Sequence, residues 1–203
     1  MVNYLRDFSL NPPIEAIYRR LGYKKRSTEL SPAAREKIDH HIDRGLALCA
    51  PQAAWLICDF TVEAASIVIE EQITMESINL KSFLGGYEKA AIMGATAGSK
   101  ITEVVDEKMQ DSPFAAVIYD AVGSEVADAI LNRLMKHLNR ILITEGKKLS
   151  KSRYSPGYGD LDLSIQKDLH SFLNMENIGV VITENCQLVP EKSVIAIAGV
   201  ERK

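Results

Sequence analysis

The sequence predicts an α+β fold: a mostly antiparallel twisted sheet with flanking helices, preceded by an N-terminal helical extension. Three observations predict it. Apolar, β-rich runs between Ala53 and Glu76 are short and interrupted, the pattern of a hairpin or meander. Two further runs, 185–189 and 193–199, close the chain on either side of the short turn Pro190-Glu191-Lys192. Between these regions Ile118, Val122, Val126, Ile130, Leu134 and Leu138 recur every four residues, the mark of one long helix.

The elements follow in order. Asn11-Pro12-Pro13 opens the first helix with an N-cap type residue and proline in the first turn; Ile14, Ile17, Tyr18 and Leu21 form its apolar stripe, and Gly22 ends it. After the basic, polar stretch Lys24 to Thr28, Ser31-Pro32 starts a second helix. Its Ile38, Ile42, Leu46 and Cys49 share one face, with Glu36, Lys37, Asp39, His40, Asp43 and Arg44 around the rest. These two helices read as an extension, residues 1–50, leaving 51–203 as the α+β domain. Trp55 to Cys58 and Ser66 to Ile69 are the best strand cores of the meander. Lys89 to Thr96 is another strand, closed by Gly98 and followed by a helix with Ile101, Val104, Val105 and Met109 on one stripe. The long helix begins after Ser112-Pro113. Gly123 within it costs about 1 kcal/mol relative to alanine, which predicts close backbone packing there. From Gly146 to Leu163 periodicity fails, with Pro156 and three glycines, so this is a loop of unusual length, where functional residues tend to collect. A Ser-capped helix from Ser164 to Leu173 follows, with Ile165, Leu169, Phe172 and Leu173 inward.

Composition excludes several classes of function. A chain of 203 residues can bury roughly 70% of its unfolded surface. Its 46% hydrophobic and 25% charged residues are those of an ordinary globular protein. With Lys+Arg 24 against Asp+Glu 27 there is no net positive field to hold a phosphate backbone, so nucleic acid is not an expected partner. Cys49, Cys58 and Cys186 are odd in number and without a CxxC pair, which argues for a reducing compartment and against a thiolate metal cage. The opening residues contain no apolar run of signal length and no stretch could span a bilayer, so a soluble, cytoplasmic protein is expected.

Two motifs read more simply than they first look. Gly94-Ala95-Thr96-Ala97-Gly98-Ser99-Lys100 resembles a phosphate loop, but only three residues separate its glycines and Ser precedes Lys. It reads as a strand-to-helix turn that needs small residues. Asp39-His40-His41-Ile42-Asp43-Arg44-Gly45 nearly spells the Asp-x-His-x-x-Gly signature of corrinoid proteins, with the glycine one residue late and the segment in mid-helix. Adjacent histidines on a helix point about 100° apart, so a solvated face explains them better than a metal site. Lys147, Lys148, Lys151 and Arg153 form a run without an acid, the ordinary composition of a wet loop for its lysines.

The informative stretch is Arg153-Tyr154-Ser155-Pro156-Gly157-Tyr158-Gly159-Asp160. Arginine offers a planar fork of donors suited to a carboxylate, Pro156 stiffens a turn, and Gly157 admits a ligand close to the backbone. Tyr158 adds an aromatic face that stabilises positive charge. S-adenosylmethionine combines an amino-acid end, a planar ring and a cation.

At these residues the sequence resembles the reactivation domain of cobalamin-dependent methionine synthase, whose Arg-x-x-x-Gly-Tyr motif is matched by Arg153 to Tyr158. The similarity continues at Ile182-Thr183-Glu184-Asn185 and Pro190-Glu191-Lys192-Ser193-Val194, in order and spacing, across about fifty residues. Upstream, Ala127-Asp128-Ala129 looks like the family's Ala-Glu-Ala helix segment. Val189, Ile195 and Ala198 depart from it, standing where the family has an aromatic residue, a second serine and a tyrosine.

The resemblance implies an activation-domain-like fold and a role in rescue chemistry. An inactive cob(II)alamin takes an electron from a flavoprotein and a methyl group from S-adenosylmethionine. Arg153 would hold the methionine carboxylate, Asp128 the ammonium, the Ser155, Pro156 and Gly157 backbone the adenine edge, and Tyr158 would line the sulfonium pocket. No convincing cobalamin, folate or homocysteine module accompanies these residues, so the cobalamin would belong to a partner, a corrinoid protein or a truncated cobalamin-dependent methionine synthase. The chain would then be an accessory protein acting in trans. The other reading is a non-catalytic docking or assembly protein for a corrinoid protein that no longer binds the methyl donor.

Overall fold

A computed structural model describes residues 1–6, 8–23 and 28–202. In chain order it contains β1 (Asn3–Leu5), α1 (Ile14–Arg20), α2 (Pro32–Leu48), β2 (Gln52–Cys58), β3 (Phe60–Val62), β4 (Ser66–Ile69) and β5 (Ile73–Glu76). Next come α3 (Ile78–Leu84), β6 (Lys89–Thr96), α4 (Ser99–Asp111), α5 (Pro113–Thr144), β7 (Lys147–Leu149) and α6 (Ile165–Phe172). The chain closes with β8 (Val181–Ile182), β9 (Leu188–Val189) and β10 (Ser193–Arg202). The central sheet is antiparallel, in the order β1-β2-β6-β10-β7; β3-β4-β5 form a separate meander, and β8-β9 a ribbon. This is the α+β architecture expected from the sequence.

Alternation along the two central strands makes two cores. On one face Ala91, Met93 and Ala95 of β6 and Ala196, Ala198 and Val200 of β10 pack under α5. Alanines dominate that face, and short side chains let a helix lie close to a sheet. On the other face Ala90, Ile92, Ile195 and Ile197 meet the meander, Leu80 and Leu84 of α3, and Leu169 and Leu173 of and after α6. The sheet is therefore covered on both sides, and both its central strands are buried along most of their length.

Ser31 caps α2, its hydroxyl accepting from the Ala34 N–H at 3.2 Å. Ile17 of α1 and Ile38 and Ile42 of α2 are buried in the same core as α5, and β1 pairs with β2 at the sheet edge. The first fifty residues thus share the core of the rest. Of the basic stretch Lys24 to Thr28, only Thr28 lies within the described residues.

The structure corrects the sequence reading at several points. Met109 is 55% exposed, off the buried stripe of Ile101 and Val105. The loop beginning at Gly146 first forms β7, paired with Val200 to Arg202. Ser164 makes no side-chain cap to α6; instead its N–H donates to Asp162 Oδ1 at 2.7 Å. The two closing strands, whose partners the sequence reading left open, lie in different sheets: β9 pairs with β8 and β10 with β6, so Pro190 to Lys192 carries the chain between sheets. Among the described residues no helix is long and apolar enough to cross a membrane.

Candidate functional site

The long helix α5 is apolar on most of its surface, but Asp120, Ser124, Asp128 and Asn132, spaced by four, form one polar stripe. Cations from elsewhere in the chain sit along it. Lys192, at the start of β10, forms an ion pair with Asp120, its side chain 11% exposed. Arg153 donates from one terminal nitrogen to Asp128 Oδ1 at 2.9 Å and from the other to Asn132 Oδ1 at 2.7 Å. Gly123 lies where Lys192 crosses α5, and a Cβ there would stand 2.8 Å from Lys192 Cγ. The close approach expected at Gly123 is therefore made by a side chain.

After Arg153, Tyr154 exchanges both backbone hydrogen bonds with Ile197 of β10, at 2.8 and 2.7 Å. The chain then leaves the sheet, because Pro156 has no N–H with which to continue the pairing. Ser155-Pro156-Gly157-Tyr158 makes a turn with the type II pattern: proline second, glycine third with φ +83°, and the Tyr158 N–H donating to the Ser155 carbonyl at 3.3 Å. A second turn follows, in which the Gly157 N–H donates to the Leu161 carbonyl at 2.9 Å. These bonds leave the Ser155 N–H and the Pro156 and Gly157 carbonyls without a partner among the described residues.

The loop is fastened from beneath. The Tyr154 hydroxyl donates to the Tyr158 carbonyl at 3.0 Å. Asp160 accepts from the Ser77 hydroxyl and from the Ile78 N–H at 2.8 Å, tying the loop to the start of α3. The Ser77 hydroxyl, helped by the Asn79 and Ile78 N–H groups, holds the Asp160 carboxyl below the ordinary aspartate range. Pro156 is buried, whereas Tyr158 is 69% exposed.

A cavity of about 200 Å³ lies beside Asp128, lined in part by Arg20 of α1, Ser124 and Ala127 of α5, and Lys192 and Ser193 at the start of β10. Arg20 Nε donates to Glu125 Oε1 at 2.6 Å. The Ser193 hydroxyl donates to Thr96 Oγ1 at 2.9 Å. Of the residues singled out from the sequence, the structure brings Arg153 and Asp128 into contact and sets Ser155, Pro156, Gly157 and Tyr158 in the adjoining turn. Sequence reasoning missed Asn132, Lys192 and Arg20. The four-residue polar spacing from Asp120 to Asn132 was a readable signal for the first; the other two come from distant segments.

Two other motifs take structural roles. A Cβ on Gly94 would meet Met175 Sδ at 2.7 Å, and Gly98 caps α4 with φ 89° and ψ 167° against Ala50. His41 packs edge-on against Phe114 and Tyr119, and burial, with the charge of His40 beside it, lowers its pKa.

No family model matches the chain, and no curated protein matches it. Among solved structures it is similar to the crystal structure of the MetH reactivation domain bound to AdoHcy, with TM-score 0.70 and 12% sequence identity, over 98% of this chain and 78% of that one. At that similarity over almost the whole chain, with its curled antiparallel sheet and flanking helices, the chain has the fold of the MetH reactivation domain.

Proposed function

We propose that the chain binds S-adenosylmethionine along the groove between α5 and β10 and supports reductive methylation of a cobalamin held by a partner, acting in trans. The observation that carries this reading is the Arg153–Asp128 pair beside a cavity, in a fold whose solved relative was crystallised with AdoHcy.

The residues fit the ligand in parts. Asp128 keeps a half-exposed carboxylate, with a free oxygen for an ammonium group. Arg153, 23% exposed, lies at the same point for the amino-acid end. The unpaired Ser155 N–H and the Pro156 and Gly157 carbonyls supply the donor and acceptors that an adenine edge requires. The exposed ring of Tyr158 offers its face to a sulfonium. Ligand pockets usually measure about 300–1,000 Å³, so a cavity of about 200 Å³ encloses only the amino-acid end, and the nucleoside lies along the open groove.

When held by a partner, the cobalamin would supply a reduced cobalt able to accept the methyl group of S-adenosylmethionine, with S-adenosylhomocysteine as the other product and a flavoprotein as the electron source. The partner is a corrinoid protein or a truncated cobalamin-dependent methionine synthase. What this chain contributes is positioning, because the reacting centre belongs to the cofactor. Calorimetry with S-adenosylmethionine tests the reading: Arg153→Ala should weaken binding by about 1.5–3 kcal/mol, the range for a charge-assisted contact, and no binding by the intact chain would overturn it. One observation favours a docking role without the methyl donor: both terminal nitrogens of Arg153 already have protein partners. Capture of a corrinoid protein irrespective of added S-adenosylmethionine would support that role.

A further inference from the structure

We infer that Ser150 is a positioning residue for Arg153: its buried hydroxyl holds open a bulge in the strand after α5 and so sets where Arg153 meets Asp128. This rests on the reading above and deepens it. β7 starts as a regular partner of β10, with Arg202 opposite Lys147, Glu201 opposite Lys148 and Val200 opposite Leu149. Continued without interruption, that register would bring Ser152 opposite Ile197. Tyr154 stands there instead, so the segment between Leu149 and Tyr154 carries two more residues than the stretch of β10 it faces. A bulge of this kind re-aims the side chains that follow it.

The displacement is large enough to matter. Each strand residue advances the chain by about 3.3 Å, so without the two extra residues Arg153 would be set about 7 Å farther along β10. One helical turn rises about 5.4 Å, and Asp128 and Asn132, which Arg153 reaches at 2.9 and 2.7 Å, lie a single turn apart. The slip would carry Arg153 past both. Hydrophobic patterning does not prevent it, because a slip of two residues returns every side chain to the face it already occupies. A specific hydrogen bond has to choose the register.

Ser150 makes that bond. Its N–H donates to the Gly199 carbonyl at 2.8 Å, as in a regular antiparallel pair. The Gly199 N–H, however, donates to the Ser150 hydroxyl at 3.1 Å in place of the Ser150 carbonyl. The same hydroxyl donates to the Ser152 carbonyl at 2.7 Å and so closes the bulge on itself. Ser150 is 3% exposed and Gly199 is buried, so solvent cannot replace the hydroxyl at the Gly199 N–H. Without it that N–H is orphaned in the bulged register and satisfied in the regular one. The ends of the bulge are fixed by rings. Tyr87 lies so close over Gly199 that a Cβ there would stand 2.2 Å from its Cγ, and Phe83 links Tyr87 to Tyr154 with centroids 6.3 and 5.8 Å away. The middle is left to Ser150.

The experiment is calorimetry with S-adenosylmethionine on the intact chain, Ser150→Ala, Arg153→Ala and the double variant, together with NMR of the Arg153 guanidinium N–H groups, assigned by their absence in Arg153→Ala. Ser150→Ala should weaken binding by about tenfold and remove the slowly exchanging Arg153 signals, while adding less than about a twofold effect once Arg153 is already alanine. Full affinity in Ser150→Ala, or an equal loss in both backgrounds, would overturn the inference, the second because a general loosening of the scaffold acts whether or not Arg153 is present. If the intact chain binds no S-adenosylmethionine, the parent reading falls, and the NMR signals alone decide whether Ser150 positions Arg153. Should Ser150→Ala fail to fold, Ser150→Cys, of nearly the same size and a weaker hydrogen-bonding group, supplies the same comparison.

Discussion

Two glycine-bearing turns of this molecule look alike in sequence and differ in what surrounds them. In the turn from Gly94 to Lys100 both glycines face protein: Gly94 meets Met175, and Gly98 meets Ala50. In the turn from Arg153 to Asp160, Gly159 likewise packs inward, on Tyr154 and Asn79, but Gly157 has only Leu163 at 3.3 Å and the neighbouring Tyr158 projects outward. The first turn uses its glycines to bring the chain against itself. The second leaves backbone groups and a ring available to another molecule. Glycine spacing alone cannot separate these cases, since a missing Cβ serves inward packing and outward approach equally well.

The comparison can be broken by substitution. The largest effect is expected at Gly98→Ala. Its φ 89° and ψ 167° lie in a region almost confined to glycine, and the new Cβ would stand 3.0 Å from Ala50 Cβ. Chemical denaturation should show a loss of about 2–3 kcal/mol, with ligand affinity of the folded protein unchanged. Gly157→Ala, at φ +83° in a more open setting, should cost about 1–2 kcal/mol and weaken S-adenosylmethionine binding as well. If both glycines moved stability alone, the functional contrast between the turns would be lost.

Tyr158→Ala should leave stability within about 0.5 kcal/mol, because the side chain is 69% exposed, and should weaken ligand binding by about 1 kcal/mol through the lost ring contact with the cation. Equilibrium titration with the ligand and a melting curve check the two halves of that statement. The smallest effect concerns Asp160, whose carboxyl is held below its ordinary value of 3.8 by Ser77 and the amides at the start of α3. A carboxyl lowered on folding adds stability that is fully present above the unfolded value and is lost as pH falls through the folded one. Asp160→Asn should therefore flatten the acid limb of the stability curve below pH 3.8 and shift it by a constant amount above. A variant curve parallel to the original down to pH 2 would show that the fastening of the loop contributes nothing.

Periodicity made the larger elements legible. Lys89 to Thr96 and the helix after Ser112-Pro113 stand where their patterns put them, because each buries a regular stripe over many residues. β1, β7 and β8 were not legible, since strands of two or three residues carry no pattern of their own, and of the run expected at 185–189 only Leu188–Val189 is a strand. Of the site, Arg153 to Tyr158 and Asp128 could be named from local chemistry, the latter through a resemblance. Asn132 was readable from its spacing along α5, whereas Lys192 and Arg20 were not, because what makes them neighbours of the site is the crossing of α5 by separate segments. Pro190 to Lys192 was legible as a turn between two strands, but not the partners of those strands, β8 and β6, which lie elsewhere in the chain and leave no local pattern.

The burial of Ile17, Ile38 and Ile42 against α5 has a practical corollary for anyone trimming this chain for expression. A fragment starting at residue 51 would bare an oily roof over α5 and leave β2, with Trp55 on it, as a naked outer strand. Such a fragment is expected to precipitate or self-associate, and supplying residues 1–50 as a separate peptide should restore its solubility.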